Sequence, residues 1–87
     1  MAADLNHHHR DTLEKIFRHP LSGNLEWRQV LSLLAAVGTT TREPNGKVKV
    51  ELGGQTEVLQ PPDGKDVDRQ LIVDLRRLLT NAGLEPS

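Results

Sequence analysis

Four histidines, a pair of alternating lysines and one nearby arginine carry most of the chemistry this chain can offer. His7, His8 and His9 are consecutive, and His19 stands immediately before Pro20. Lys47 and Lys49 alternate with Val48 and Val50, and Arg42 lies just upstream. Imidazole is the side chain best suited to move a proton near neutral pH. Lysine and arginine suit the binding of phosphate. No Cys or carboxylate at ligand spacing accompanies His7–His9, so no metal site is expected there. The run also has the look of a fragment of an affinity tag. His19, held next to a proline, is the one weak candidate for a catalytic base. Its ordinary role would be a loop residue bonded to backbone. Gly46, Gly53, Gly54 and Gly64 read as turn glycines. No dinucleotide or phosphate-loop spacing connects them, so no cofactor is expected.

These groups have to be positioned by a small body. The chain has 87 residues and no Cys, so neither disulfides nor thiolate metal sites staple it. A chain this short buries only about 60–65% of its unfolded surface. The only aromatic residues are Phe17 and Trp27, so Leu and Val must build most of the core. No apolar run reaches the roughly 18 residues of a membrane span. The N-terminal MAADLNHHHRD lacks the apolar centre of a signal peptide, so a cytoplasmic protein is expected. The net charge of −1 lacks the overall basic excess of a generic nucleic-acid binder, which leaves only a local basic face.

The stretch NLEWRQVLSLLAAVG, Asn24 to Gly38, organises the rest. Trp27, Val30, Leu31, Leu34 and Val37 recur at helical spacing and form one apolar stripe. Asn24 suits an N-cap and Gly38 a stop. Trp27 is expected in the core, although an indole can also stack a base. Before this helix, residues 1–9 read as a polar, disordered tail. Asp11 then opens a short helix, with Glu14 at capping-box spacing and Leu13, Ile16 and Phe17 as its apolar patch. Pro20 ends it near Arg18.

After Gly38 the period changes to that of strands. TTTRE, Thr39–Glu43, is β-branched and half polar. Asn45-Gly46 predicts a type I′ hairpin turn. KVKVEL alternates, with Val48, Val50 and Leu52 on one face and Lys47, Lys49 and Glu51 on the other. Gly53-Gly54 marks a second turn, and Gln55–Gln60 a third strand. A two-residue turn there sets Val50 against Glu57, and a three-residue turn sets Val50 against Val58. The second is preferred because it keeps apolar residues together. Asp68 is an N-cap with Val67 and Ile72 as a hydrophobic staple. Leu71, Leu75, Leu78, Leu79 and Ala82 form another stripe, and Asn81-Ala82-Gly83 a helix exit. Arg69, Arg76 and Arg77 are expected on the solvent side of that helix, Asp74 being a salt-bridge partner.

The expected fold is α+β: α-β-β-β-α, a three-stranded antiparallel sheet with two helices on one face, plus a short extra N-terminal helix. The domain is expected to span residues 10–87 after the 1–9 tail.

From Leu21 to Leu84 this pattern resembles the HicA-type toxins, small mRNA interferases of bacterial toxin–antitoxin pairs. EWRQVLSLLAAVG, NGKVKVELGGQTEVLQPP and GKDVDRQLIVDLRRLLTNAGL carry the resemblance. It implies the fold of double-stranded RNA-binding domains, an endoribonuclease activity, RNA as substrate and an antitoxin-like protein as partner. It also implies a catalytic histidine within a Gly-Ser-His at the start of the second strand. Here Gly46 is followed by Lys47 and Val48, so that histidine is missing. A lysine amine can stabilise phosphate charge but holds its proton at neutral pH and makes a poor base.

Two functions follow as expectations. One is a HicA-like RNA-binding protein with degenerate or lost cleavage, in which Lys47, Lys49 and Arg42 form a phosphate-binding strip on the exposed sheet face. The other is a non-catalytic protein-interaction module on the same fold, using the edge strand Thr39–Glu43 to pair with a partner or a second copy. The expected assembly is a monomer or weak dimer. A metal-dependent hydrolase using His7–His9 or His19 is the least supported reading.

Overall fold

The computed structural model describes residues 7–18 and 25–84. His19, the proposed cap Asn24 and residues 1–6 lie outside the described residues. The elements run α1 (His7–Phe17), α2 (Trp27–Val37), β1 (Thr39–Arg42), β2 (Val48–Leu52), β3 (Gln55–Leu59) and α3 (Arg69–Asn81). The strands form one antiparallel sheet in the order β1-β2-β3. The α-β-β-β-α layout with an extra N-terminal helix is the architecture that the periodicity predicts. No helix among the described residues is long and apolar enough to cross a membrane.

Both α2 and α3 lie on one face of the sheet, α2 over β1 and β2 and α3 over β3. Val48, Val50, Leu52 and Leu59 meet them from the sheet, and Leu71, Ile72, Leu75, Leu78 and Leu79 fill the α3 side. α1 packs against both of these helices and adds Leu13 and Ile16 to the same core. It begins at His7, so His7–His9 are helical and not part of a tail. The reason is packing: Leu13 and Ile16 dock the helix, and Thr12, also buried, donates to the His8 carbonyl. Once docked, the first turn is held by neighbours that an isolated helix would lack. Asp11 is therefore inside the helix, 3.4 Å from Lys15, and does not cap it.

The α2 stripe is rotated from the sequence expectation. Val30, Leu33 and Leu34 are fully buried, whereas Trp27, Leu31 and Val37 are only partly covered. α2 is flanked by the sheet and by α1, so its buried arc widens to include Leu33. Trp27 opens the helix and packs at the core margin. Its backbone N–H donates to the Lys65 carbonyl at 2.7 Å, and the Val67 backbone N–H donates to the Leu25 carbonyl at 2.9 Å. These bonds tie together the segments that lead into α2 and α3. Glu26 caps α2, its N–H donating to Gln29 Oε1. Gly38 follows the helix in extended geometry, and glycine is required there for a steric reason: a Cβ would collide with the Glu51 carbonyl oxygen.

Asp68 Oδ1 accepts the Leu71 N–H at 2.8 Å, as its cap position predicts. α3 closes with a Schellman arrangement. Leu84 N–H donates to Leu79 and Gly83 N–H to Thr80, with Gly83 at φ 79°. Arg76 departs from expectation. It is not a solvent-facing cation, because its Nε donates to the Ile16 carbonyl at 2.7 Å and its Nη2 to the Arg18 carbonyl at 2.9 Å. It thereby caps the end of α1, where unpaired carbonyls collect.

Both hairpin expectations need correction. Between β1 and β2, Arg42 pairs with Val48 and Thr41 with Lys49. The loop therefore has three residues, Pro44, Asn45 and Gly46, closed by Glu43 N–H to the Lys47 carbonyl. The proline ring fixes φ near −65°, which suits a type I turn. Gly46 takes the following left-handed position at φ 88°. Between β2 and β3 the turn has two residues, and Val50 faces Glu57, not Val58. Gly53 and Gly54 sit at φ 58° and 81°, the twist-matched geometry for a two-residue hairpin. Turn geometry thus overrides the apolar match. Val58 is left exposed on the open face, and Glu57 on the helix-covered side pairs with Arg77.

Candidate nucleic-acid interface

The uncovered sheet face is the surface on which a phosphate strip was expected. Alternation places Lys49 and Glu51 of β2 on it, flanked by Thr39 and Thr41 of β1 and by Thr56 and Val58 of β3. Lys47, two residues before Lys49, precedes β2 in the same parity. Among the described residues neither lysine forms an ion pair. Apart from Glu51 and the exposed Val58, the strand positions of this face carry short hydroxyl side chains, which crowd the two lysines little. Glu51 is its one carboxylate within the strands, and Glu43, opposite Lys47 beyond the end of β1, lies on the same side.

Arg42 does not join them. Its partner Val48 faces the helices, so Arg42 lies on the helix side of the sheet. The two-residue Asn45-Gly46 turn would have set Arg42 opposite Lys49. The three-residue loop shifts the pairing by one residue and so moves Arg42 to the other face. There it lines a groove between α2 and β1, whose other wall carries Arg28. Arg28 was not a sequence candidate. The signal that could have found it is periodicity, since Arg28, Leu31 and Ala35 share one side of α2.

Val48 stands where the resemblance to HicA-type proteins places a catalytic histidine. It is only 4% exposed and contributes neither an acid nor a base. His19 lies outside the described residues. His9 is held in the α1–α2 junction, its Nε2 at 2.8 Å from Ser32 Oγ, in a groove also lined by His8 and Arg28. Among the described residues no three His, Cys, Asp or Glu side chains converge as a metal site. Arg77 is exposed and bridges Asp74, as expected, and it also reaches Glu57 of β3, each at 3.4 Å.

Compared with protein-family models, curated proteins and solved structures, the chain matches none of them.

Proposed function

We propose that this chain is a small cytoplasmic RNA-binding domain of HicA-like type that holds structured RNA without cleaving it. The observation that carries the reading is the pair Lys47 and Lys49, which form no ion pair among the described residues, on a sheet face that none of the described helices covers. Structured RNA is bound largely through phosphates, 2′-OH groups and shape. Two amines among Thr39, Thr41 and Thr56 offer donors of that kind. The loss of cleavage has its own support. The position assigned to the catalytic histidine carries Val48, on the opposite face from the lysines. A base there would not meet RNA held on the open face.

The test is a mobility shift with a structured RNA at low and high salt. Binding is expected to weaken as salt rises, because phosphate contacts release counterions. K47A/K49A is expected to reduce the shift sharply and to lower the salt slope by roughly 0.7–0.9 per lost contact. R42A is expected to change it little. Absence of any shift at low salt would remove the reading. A shift abolished by R42A but untouched by K47A/K49A would overturn the choice of face.

A further inference from the structure

The outer edge of β1 and the groove beside it take no part in that reading. Among the described residues β2 is the only strand beside β1, so none of them pairs with the other side of β1. The bond from Glu43 N–H to the Lys47 carbonyl, 2.8 Å, fixes which groups face outward. Closely bonded and non-bonded pairs alternate along an antiparallel ladder. Thr41 and Thr39 therefore bond inward to Lys49 and Glu51. Thr40 and Arg42, opposite Val50 and Val48, turn their N–H and C=O groups to the free edge. The side chains of these same two residues line a groove of about 470 Å³. Arg28, Leu31 and Ala35 of α2 form its far wall, and Val48 its floor.

We infer that β1 accepts an extended acidic peptide segment as a fourth strand. One carboxylate of the segment lies between Arg28 and Arg42, and a neighbouring apolar side chain, two residues away, covers Leu31 and Ala35. Charge decides the chemistry of the partner. The groove lining holds two guanidinium groups and no carboxylate. Glu26 engages Arg28 through Nε at 2.9 Å, but that side chain is 86% exposed and keeps further donors for a second anion. Glu43 shares the parity of Lys47 and Lys49 and faces the other side. A second copy of β1 is the poorer occupant. Antiparallel pairing of outward-facing residues puts both copies of Arg42 on the same face, where like charges repel. β1 has four residues, which sets the segment at a similar length. Main-chain bonds to Thr40 and Arg42 would supply affinity, and the alternating side chains specificity. The inference rests on this edge and groove and does not depend on RNA binding.

The probe is an end-blocked synthetic hexapeptide, Val-Thr-Glu-Thr-Val-Thr, which sets valine and glutamate two residues apart on one strand face, compared with its counterpart Val-Thr-Lys-Thr-Val-Thr. Binding is followed by fluorescence anisotropy and by amide NMR of the full chain. The valine–glutamate peptide is expected to bind and to slow hydrogen exchange at Thr40 and Arg42. R28A/R42A and R42E are each expected to weaken it at least tenfold. Thr40→Pro removes an outward N–H without touching the ladder to β2, and the same loss is expected provided circular dichroism shows the fold intact. R42E leaves the backbone unchanged and tests the charge separately if the proline variant fails to fold. Failure of the acidic peptide to bind would overturn the inference. Equal binding of the lysine peptide, or full affinity in R42E, would do so too. A dimer dissolved by R42E or Thr40→Pro in light scattering would assign the edge to a second copy. Protection of the Thr40 and Arg42 amides by structured RNA, and not by the peptide, would assign it to nucleic acid.

Discussion

Arg76 lies 58 residues from Arg18 in sequence, yet it donates to the carbonyls of both Ile16 and Arg18. Its guanidinium offers five donors in a planar fork, which lets one side chain satisfy two carbonyls at a helix end. Arg76→Ala is expected to destabilise the fold by about 1–2 kcal/mol in urea unfolding, the loss of two charge-assisted bonds partly open to water. Arg76→Met keeps the hydrocarbon stem and should lose nearly as much. A methionine variant as stable as the parent would show that the stem and not the bonds matters. Gly38 makes the opposite kind of contribution, through what it lacks. Its Cα approaches the Glu51 carbonyl so closely that any Cβ would collide. Gly38→Ala is expected to cost about 2–3 kcal/mol by forcing β1 away from β2. Thermal melting of the two proteins side by side measures that cost.

At the scale of elements, α1 is part of the core and not an appendage. Ile16 is fully buried against the cluster that α2 and α3 share. Ile16→Ala is expected to remove about 2–5 kcal/mol through lost burial and a residual cavity. In a chain this small that is a large share of the total stability. Denaturant unfolding gives the value, and a change under 1 kcal/mol would mean that α1 is loosely docked. The strands allow a sharper test. Among the described residues β2 is paired on both sides, whereas β1 has one free edge. Hydrogen exchange is expected to be slowest in β2 and to alternate in β1, with Thr41 protected and Thr40 and Arg42 fast. Uniform protection along β1 would contradict the ladder phase on which the edge-docking inference stands.

The whole molecule separates two charged surfaces that the linear sequence runs together. Lys47 and Lys49 lie on the open sheet face, and Arg42 with Arg28 beside the groove on the helix side. K47A/K49A is therefore expected to leave affinity for the valine–glutamate peptide unchanged within about twofold, since exposed charges on opposite sides of a sheet are screened from each other in salt. A titration in 0.15 M salt, near physiological, checks this. Much of the arrangement was legible beforehand. The alternation of KVKVEL, the α3 stripe and the Asp68 cap all come from local spacing, and all appear in the structure. The fully buried Leu33, the helical state of His7–His9 and the role of Arg76 were not legible. Each depends on an element distant in the chain. The candidate phosphate strip was only half legible, because its third member depended on a loop one residue longer than the Asn-Gly signal implied.

By itself, then, the sequence determined the order of elements and which face of most of them is apolar. Those properties follow from side-chain periods of 3.6 and 2 that each segment carries within itself. Tertiary structure alone decided the register of both hairpins, and with it which cations share a face. Register is a relation between segments. Pro44 and the two positive-φ glycines of the second turn fix it through backbone geometry, and a shift of one residue carries every side chain of a strand to the opposite side.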